Sequence, residues 1–421
     1  MKNNLFALVF ISLIVMAAIL LPHPYLSHAA DPQEIRIGVT GPLTGPAAES
    51  GTALKLGMIL AMEEWNAAGG IYVKEYGKKV PIKSLIEDCQ SKPEVGVSVG
   101  EKLIVRDKVH LLIGDAFHSS VTMAVMELAP KYGIPVMSGE PVSKEIEKKV
   151  ISDPKRYWSY WKQGTNSDNT ALSIFSTVKQ LLDKGLLKPK NKTIAIVVED
   201  TDWGRSIAEK TVEYFAGMGW KILTTETVPL GYTDFYPQLT KIKSMNPDVL
   251  IPMFTPLSSG VAITKQFQEV GMKCLLFGIY YPVRPEFITQ VGKDADYLVW
   301  NPLMIETVHV PHHKEFAEKM KKRWNVAVYY DHGAGYDYMN NALWAIQKAG
   351  SLDPKAIVQA VSKLDRKGVL GRFVFDQQTH ASKGGENYIP IPAAQIINGK
   401  NVVLWPTSLA FGTYQKQPWI E

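Results

Sequence analysis

The chain reads as α/β, with two doubly wound parallel-sheet units in tandem. Strand and helix patterns alternate along most of its length, which implies helices layered on both faces of a sheet. The strand candidates are near-continuous apolar runs such as "VHLLIG" (Val109–Gly114), the composition of parallel strands covered on both sides. At 421 residues the chain is also too long for one ordinary core.

The first segment stands apart. Leu5 to Leu21 carries no charge, and "PHPYLSHAAD" follows, with small residues Ser27 and Ala29 at the spacing of a signal peptidase site. A secretory signal cleaved near Ala29 is expected. An uncleaved anchor is the alternative, because the apolar run just reaches the lower edge of a spanning helix. In either case the rest of the chain lies outside the cytoplasmic membrane. No Cys follows the signal, so lipid anchoring there is not expected.

Strands are then expected at 35–39, 80–87, 109–114 and 134–138. Helices are expected between them at 53–66, 93–106 and 121–132. In the last of these Val121, Ala124, Val125 and Leu128 share one face. The aromatic then turn-forming stretch "YWSYWKQGTNSDN" (Tyr157–Asn169) is the expected first crossing between units. A second series follows: strands at 193–200, 220–228, 249–254 and 274–279, with helices at 204–218, 235–245 and 258–270. From about Asn301 the pattern turns helical, at 313–325, 335–349 and 353–364. Strand-like pieces end the chain at 372–375, 388–397 and 402–404. A tail of this kind returns to both units and makes the connection a hinge rather than a tether.

Composition narrows the function classes. Hydrophobic content of 46% and charged content of 21% are ordinary for a globular protein. The net charge of +5 is small, and Lys and Arg are spread along the chain, so a nucleic-acid partner is not indicated. Cys89 and Cys274 are the only cysteines. Two buried thiols are expected; an exported chain could also pair them.

The glycine-rich turn in "IRIGVTGPLTGPAAESG" raises a nucleotide site, and the residues argue against it. Gly38, Gly41, Gly45 and Gly51 miss the G-x-G-x-x-G spacing. Pro42 and Pro46 remove N–H groups that a phosphate would use. The acidic pair Glu87–Asp88 lies too far on, and there is no P-loop sequence. Neither G-x-S-x-G nor H-E-x-x-H occurs. "HVPHHKEF" offers His309, His312, His313 and Glu315 as conceivable metal ligands, but no second cluster at ligand spacing accompanies them, and a solvated helix start is the expectation. Asn191-Lys192-Thr193 matches the glycosylation triplet, a pattern that chance often supplies.

The residues that remain resemble a family. "IRIGVTGPLTGPAAESG … EEWNAAGGI", "EDCQSKPEVGVSVGEKLIVRDKVHLLIGDAFHSSVTMAVMELAPKYGIPVMS", "TIAIVVEDTDWGRSIAEKTVEYFAGMGWKI", "YTDFYPQLTKIKSMNPDVLIPMF" and "YDYMNNALWAIQKAGS" resemble, in order, the branched-chain amino-acid (Leu/Ile/Val-binding-like) type of periplasmic substrate-binding protein of ABC transporters. The resemblance implies the type I periplasmic binding fold: two lobes joined by a three-stranded hinge, closing on a small solute. The implied division is a signal peptide at 1–29, lobe I at 30–161, lobe II at 162–302, a return to lobe I at 303–371, and a return to lobe II with the tail at 372–421.

It also implies a set of ligand contacts. Ser119 in "GDAFHSSV" corresponds to a serine that holds a ligand carboxylate; its hydroxyl could equally cap a helix. His118 and Phe117 adjoin it. "SGEPVS" departs from the family pattern, with Glu140 and Val142 where an alanine carbonyl and a threonine hydroxyl are usual. Ser50, next to Glu49, replaces an aromatic. Trp203 in "EDTDWGRS" matches an aromatic that lies over the ligand. Thr255, Pro256, Leu257 and Ser258 follow the next strand, with Pro256 and Leu257 at contact positions. The acidic residue that takes an α-ammonium should follow "LLFG", where this chain has Ile279, Tyr280 and Tyr281. That departure leaves the ligand open between an α-amino acid and an aromatic or aliphatic carboxylate or amide. In the first case Glu140 or Glu49 would replace the missing acid. Arg284 is the nearby cation if a second anion is held, or else part of a solvated helix start.

The function the resemblance implies is an extracytoplasmic solute-binding component of an ABC importer. It would be non-enzymatic, without cofactor or metal, and a monomer, with a small-molecule solute and a membrane permease as partners. It would have no stable membrane insertion after signal cleavage. A ligand-sensing receptor with the same clamshell is the alternative, disfavoured because no spanning segment precedes the terminal "QPWIE". A secreted enzyme on a similar fold has no nucleophile–base pair to support it.

Overall fold

The computed structural model describes residues 33–304 and 312–420. The expected signal segment, and His309 of the histidine cluster, lie outside the described residues. The first sheet is wholly parallel, in the order β4-β1-β5-β6-β7. Its strands are β1 (Ile35–Gly41), β4 (Ile82–Asp88), β5 (Leu111–Ile113), β6 (Val136–Ser138) and β7 (Tyr160–Lys162). A small hairpin, β2 (Ile71–Val73) and β3 (Lys78–Val80), leads into β4.

The second sheet runs β16-β15-β12-β11-β10-β8-β9. Five of its strands are parallel: β8 (Thr193–Glu199), β9 (Lys221–Val228), β10 (Val249–Phe254), β11 (Leu275–Tyr280) and β12 (Val299–Trp300). An antiparallel hairpin, β15 (Ala393–Ile397) and β16 (Lys400–Trp405), extends one edge. In both sheets the first parallel strand of the lobe, β1 or β8, sits between the second and the third. Each lobe therefore has a switch point where chain direction across the sheet reverses, the place where such folds hold ligands.

Helices cover both faces. α1 (Ala48–Ala67) packs in the first lobe against α12 (Tyr330–Ala349), which follows α11 (His312–Trp324). On the opposite face lie α2 (Pro93–Val105), α3 (Ser119–Val125), α4 (Leu128–Tyr132) and α5 (Lys144–Ser152). A single helix was expected over 121–132. Pro130 cannot donate to the Met126 carbonyl and crowds it, so the chain breaks there into α3 and α4. The second lobe carries α6 (Ser167–Asp183), α7 (Asp202–Gly217), α8 (Tyr236–Met245), α9 (Leu257–Val270) and α10 (Glu286–Val291). α6 was not anticipated, yet Asn166 and Asn169 form a reciprocal cap at its start, and Ala171, Ile174, Val178 and Leu181 bury one face. α13 (Pro354–Ser362) and the hairpin β13 (Asp365–Lys367) and β14 (Arg372–Val374) complete the return to the first lobe. Phe373, Phe375 and Ile389, beyond the return expected to end at residue 371, lie in the first lobe's core.

Among the described residues, three stretches of the chain lead from one lobe to the other. The first crossing follows β7, where Lys162 pairs through its backbone with His380 and Ser382 of the third crossing. The second follows Asn301, whose Nδ2 donates to the Ser173 Oγ at 2.9 Å and the Pro392 carbonyl at 3.0 Å. Cys89 and Cys274 are buried free thiols, as expected. Among the described residues no helix is long and apolar enough to cross a membrane.

Candidate functional site

The loops at the carboxyl ends of β1, β5 and β6 face those after β8, β10 and β11 across a cavity of about 290 Å³. Apolar and aromatic side chains dominate its wall, among them Phe117, Val142, Trp203, Ile279, Tyr280 and Tyr330. Polar groups converge between them, as in small-molecule sites generally.

The first-lobe wall is built by close backbone contacts. At Gly51 an added Cβ would sit 1.7 Å from the Pro42 carbonyl oxygen, so α1 can begin directly under the β1 loop only with glycine there. The turn glycine of the opening motif thus serves helix–loop packing. After β5, Asp115 is fully buried and its carboxylate caps the next turn, accepting from the His118 N–H at 2.6 Å and the Phe117 N–H at 3.3 Å. Burial pushes its carboxyl up to about 7 despite those bonds. Ser119 is buried at the start of α3, and its hydroxyl accepts from the Ser143 N–H at 3.3 Å. Asp115, not Ser119, therefore caps this turn. Burial holds the His118 imidazole neutral, with its pKa down at about 4.

Glu140 follows β6. Gly139 before it lies so close to the Ala116 carbonyl that a Cβ would approach to 2.2 Å, and the Glu140 N–H donates to that carbonyl at 3.0 Å. The backbone is thereby fixed and the side chain lines the cavity at 6% exposure, with Oε1 lacking any hydrogen-bond partner. Burial pushes its carboxyl well above the usual range, the Asp331 and Asp115 carboxyls add to this, and the Arg284 guanidinium opposes it. Asp331 is also raised by burial, but Arg284 and the Tyr280 hydroxyl favour its anion. Of the two, Glu140 is the one held neutral.

The second lobe contributes Trp203 from the first turn of α7, where Thr201 caps the Gly204 N–H at 3.0 Å. Trp203 meets Tyr280 edge to face with ring centroids 5.9 Å apart, and Phe117 meets Tyr280 at 6.2 Å from the other lobe. Tyr280 ends β11 with φ 72° and ψ −54°, a strained positive-φ conformation of the γ-turn kind that re-aims its ring. Its hydroxyl donates to Asp331 Oδ1 at 2.9 Å. Glu199, also lining the cavity, accepts from the Thr255 N–H at 2.7 Å, the Thr255 hydroxyl at 2.6 Å and the Thr201 hydroxyl at 3.1 Å. Burial raises its carboxyl against those bonds.

Of the expected contact residues, His118, Ser119, Glu140, Val142, Trp203 and Tyr280 line this cavity. Four do not. Ser50 lies fully buried behind the wall, 3.4 Å from the Tyr280 hydroxyl, and accepts from Arg284 Nη2 at 2.7 Å. Tyr281 turns into the second-lobe core against Phe254 and Phe287, over Gly260, where a Cβ would meet its ring at 2.2 Å. Pro256 is the extended residue just before α9, and Leu257, its first residue, packs on the second-lobe core. From that loop it is Thr255 that lines the cavity. Arg284 is not a solvated helix start. It is 4% exposed and bridges the lobes, reaching Ser50 in one, and the Thr255 carbonyl at 3.2 Å in the other, with Glu49 Oε2 at 3.2 Å. Sequence reasoning missed Glu199, Asn301, Tyr330 and Asp331. Glu199 was legible as the last residue of an apolar strand; Asn301 follows the two-residue β12, and Tyr330 and Asp331 come from a returning segment whose register no motif marks.

Cys89, Asp115 and His118 bring donor atoms within 4.8 Å of one another. The Cys89 thiol is held protonated by burial and by Asp115, to which it donates at 3.7 Å, and Asp115 is committed to its two N–H groups. The trio acts as a loop cap rather than a poised ligand set. Of the histidine cluster, Glu315 pairs with Lys319 at 2.7 Å on α11.

The Periplasmic binding protein family profile matches residues 34–386, more than four-fifths of the chain. The Leu/Ile/Val-binding protein homolog 7 of Brucella melitensis is 24% identical over 391 residues, covering 90% of this chain and 92% of its own. A crystal structure of a candidate branched-chain amino acid ABC transporter from Silicibacter pomeroyi superposes with a TM-score of 0.81 at 22% identity, over 93% of this chain and all of that one. A solute binding protein of an ABC transporter from Rhodopseudomonas palustris, solved with 3,4-dihydroxy benzoic acid, superposes at 0.69 with 21% identity, over 87% of this chain and 95% of that one. Profile, relatives and topology agree, and the chain belongs to the periplasmic binding protein family.

Proposed function

We propose that this protein is the extracytoplasmic solute-binding component of an ABC importer, a monomer released by cleavage of its N-terminal signal. It captures one small amino-acid-like, carboxylate or amide solute between its lobes and presents it to a membrane permease. The observation that carries this reading is the cavity walled by strand-end loops of both lobes, with Phe117 and Glu140 on one side and Trp203 and Tyr280 on the other. A solute held there contacts both walls only when they are together, so binding favours the closed form by differential affinity. Family relatives point the same way: one is called a Leu/Ile/Val-binding protein homolog and another was solved with an aromatic acid.

The test is a thermal-shift screen of the mature chain against amino acids, amines, aromatic and aliphatic acids, and amides. A solute at a hundred times its Kd stabilises by about 2.7 kcal/mol through mass action and stands out clearly. Recovery of the solute unchanged is expected; its conversion would indicate an enzyme. Trp203→Ala should weaken the hit roughly thirtyfold, because it removes the largest aromatic surface of the wall. Titration calorimetry checks this, and unchanged affinity would mean that the solute binds elsewhere.

A further inference from the structure

We infer that the solute carries a protonated nitrogen, and that the Glu140 carboxylate receives it within a wall of aromatic rings. This rests on the importer reading above and narrows its solute class. The first support is Glu140 itself, a carboxyl 6% exposed that lines the cavity while its Oε1 has no hydrogen-bond partner. A buried polar atom left in that condition is costly unless a bound group completes it. It lies on the first-lobe loop after β6 and was, with Glu49, one of two candidates to replace the acid that the resembled family carries after the strand equivalent to β11 and this chain lacks.

The second support is the charge of the surroundings. The groups that act on Glu140 are the carboxyls of Asp331 on α12 and of Asp115 after β5, and one guanidinium, Arg284. Tyr280 and Tyr330 adjoin it, and His118 nearby is neutral. Arg284 is engaged by Ser50, Glu49 and the Thr255 carbonyl. Among the described residues lining the cavity, the basic side chains are Arg205 and neutral His118, and Arg205 is paired with Asp200 and Asp202. An anion without a cationic group would therefore meet no uncommitted cation in this wall, whereas an ammonium favours the ionised form of Glu140 and pairs with it. Phe117, Trp203, Tyr280 and Tyr330 put four aromatic rings in the wall, the side-chain type that attracts an ammonium in a desolvated site.

The proton balance follows. The solute arrives as an ammonium, the neutral Glu140 carboxyl gives its proton to the buffer, and the ammonium and carboxylate form a hydrogen-bonded ion pair. No other bond changes.

Matched triplets test this on the full mature protein: L-leucine with isoamylamine and 4-methylpentanoate, and L-phenylalanine with phenethylamine and 3-phenylpropanoate, alongside the general screen. Hits should carry the protonated nitrogen, and the desamino acids should bind at least tenfold more weakly than their amino counterparts. Calorimetry of a hit in phosphate and in Tris at one pH should reveal proton release by the wild type. Glu140→Gln should lower affinity roughly 100-fold and abolish that release, while its ligand-free melting temperature stays equal or rises. A merely structural glutamate would not change the proton count. If hits lack a protonated nitrogen, or if Glu140→Gln keeps its affinity, this inference fails while the importer reading stands. If no solute of any class binds, both fail.

Discussion

Replacing Arg284 with methionine should lower the melting temperature by about 5 °C at pH 8 and weaken solute capture at least tenfold. The guanidinium is 4% exposed and sits where the lobes meet. It donates to the Ser50 hydroxyl at 2.7 Å and the Thr255 carbonyl at 3.2 Å, and approaches Glu49 at 3.2 Å. It is also the positive charge that offsets Asp331, which is fully buried, and Glu140. Methionine fills much of the same volume but leaves buried carboxyls uncompensated, a loss of about 3 kcal/mol. The bridge between lobes disappears with it, so closing on the solute becomes less favourable. The pH dependence has a definite sign. Both carboxyls titrate higher in the fold than in the unfolded chain, so the fold binds more protons, and stability falls as pH rises above about 4 toward their folded values. Without the guanidinium those values move higher still. The variant should therefore lose most at pH 8 and least near pH 5, which thermal unfolding at the two pH values will read. An equal loss at both would assign the effect to packing rather than to charge. Arg284→Lys should recover only part, since an ammonium cannot reach Ser50, Thr255 and Glu49 as a planar fork does.

The alternation of apolar strands with amphipathic helices located most of the parallel strands, most clearly the central ones such as β8 and β10, which are buried on both faces and largely apolar. β10 (Val249–Phe254) matches its expected range, and β8 differs only at its last residue. Elements escaped where local chemistry resembles something else. The Asn and Ser residues that open α6 read as a turn, although in the fold they are its cap. Strand β7 is short, and its Tyr160, Trp161 and Lys162 are all buried, so an aromatic stretch with a lysine gave no strand period. Strand β12 has two residues and is held in place by its neighbours rather than by its own pattern.

The site was legible where it follows the ends of parallel strands. Trp203, Ser119 and Glu140 each come one short loop after a strand, and the fold turns all three toward the same cavity. Reading failed at successive residues in one loop. Tyr280 and Tyr281 are chemically alike, but the positive φ at Tyr280 sends neighbouring rings in different directions, one to the cavity and one to the core. Ser50 and Arg284 were treated as separate candidates, yet they bond each other across the lobes from 234 positions apart. No local pattern encodes such a pair, because it depends on how the two lobes meet.

Lys162 is where the first crossing should prove most sensitive. Its side chain is fully buried at the end of β7, with Nζ 3.0 Å from Glu147 Oε1 and donating to the Thr165 carbonyl at 2.7 Å. Glu147 is only 2% exposed; its other oxygen accepts from Asn166 Nδ2 at 3.3 Å and lies 3.7 Å from Lys144 Nζ. The pair thus joins α5 of the first lobe to the cap of α6 in the second. Lys162→Met should destabilise by roughly 3–5 kcal/mol, because it leaves a buried carboxylate with one distant cation and an amide. Removing the partner as well changes the balance. With Glu147→Leu added, no buried charge is stranded, and the double variant should regain at least half of the loss. Chemical unfolding of the two single variants and the double measures the coupling. If the single losses simply add, the pair is not an interacting unit, and the crossing is held by its backbone bonds to His380 and Ser382 alone. If they couple as expected, the charge pair fixes where the first strand of the hinge begins to bend, and solute affinity in the double variant should differ from wild type even after stability has recovered.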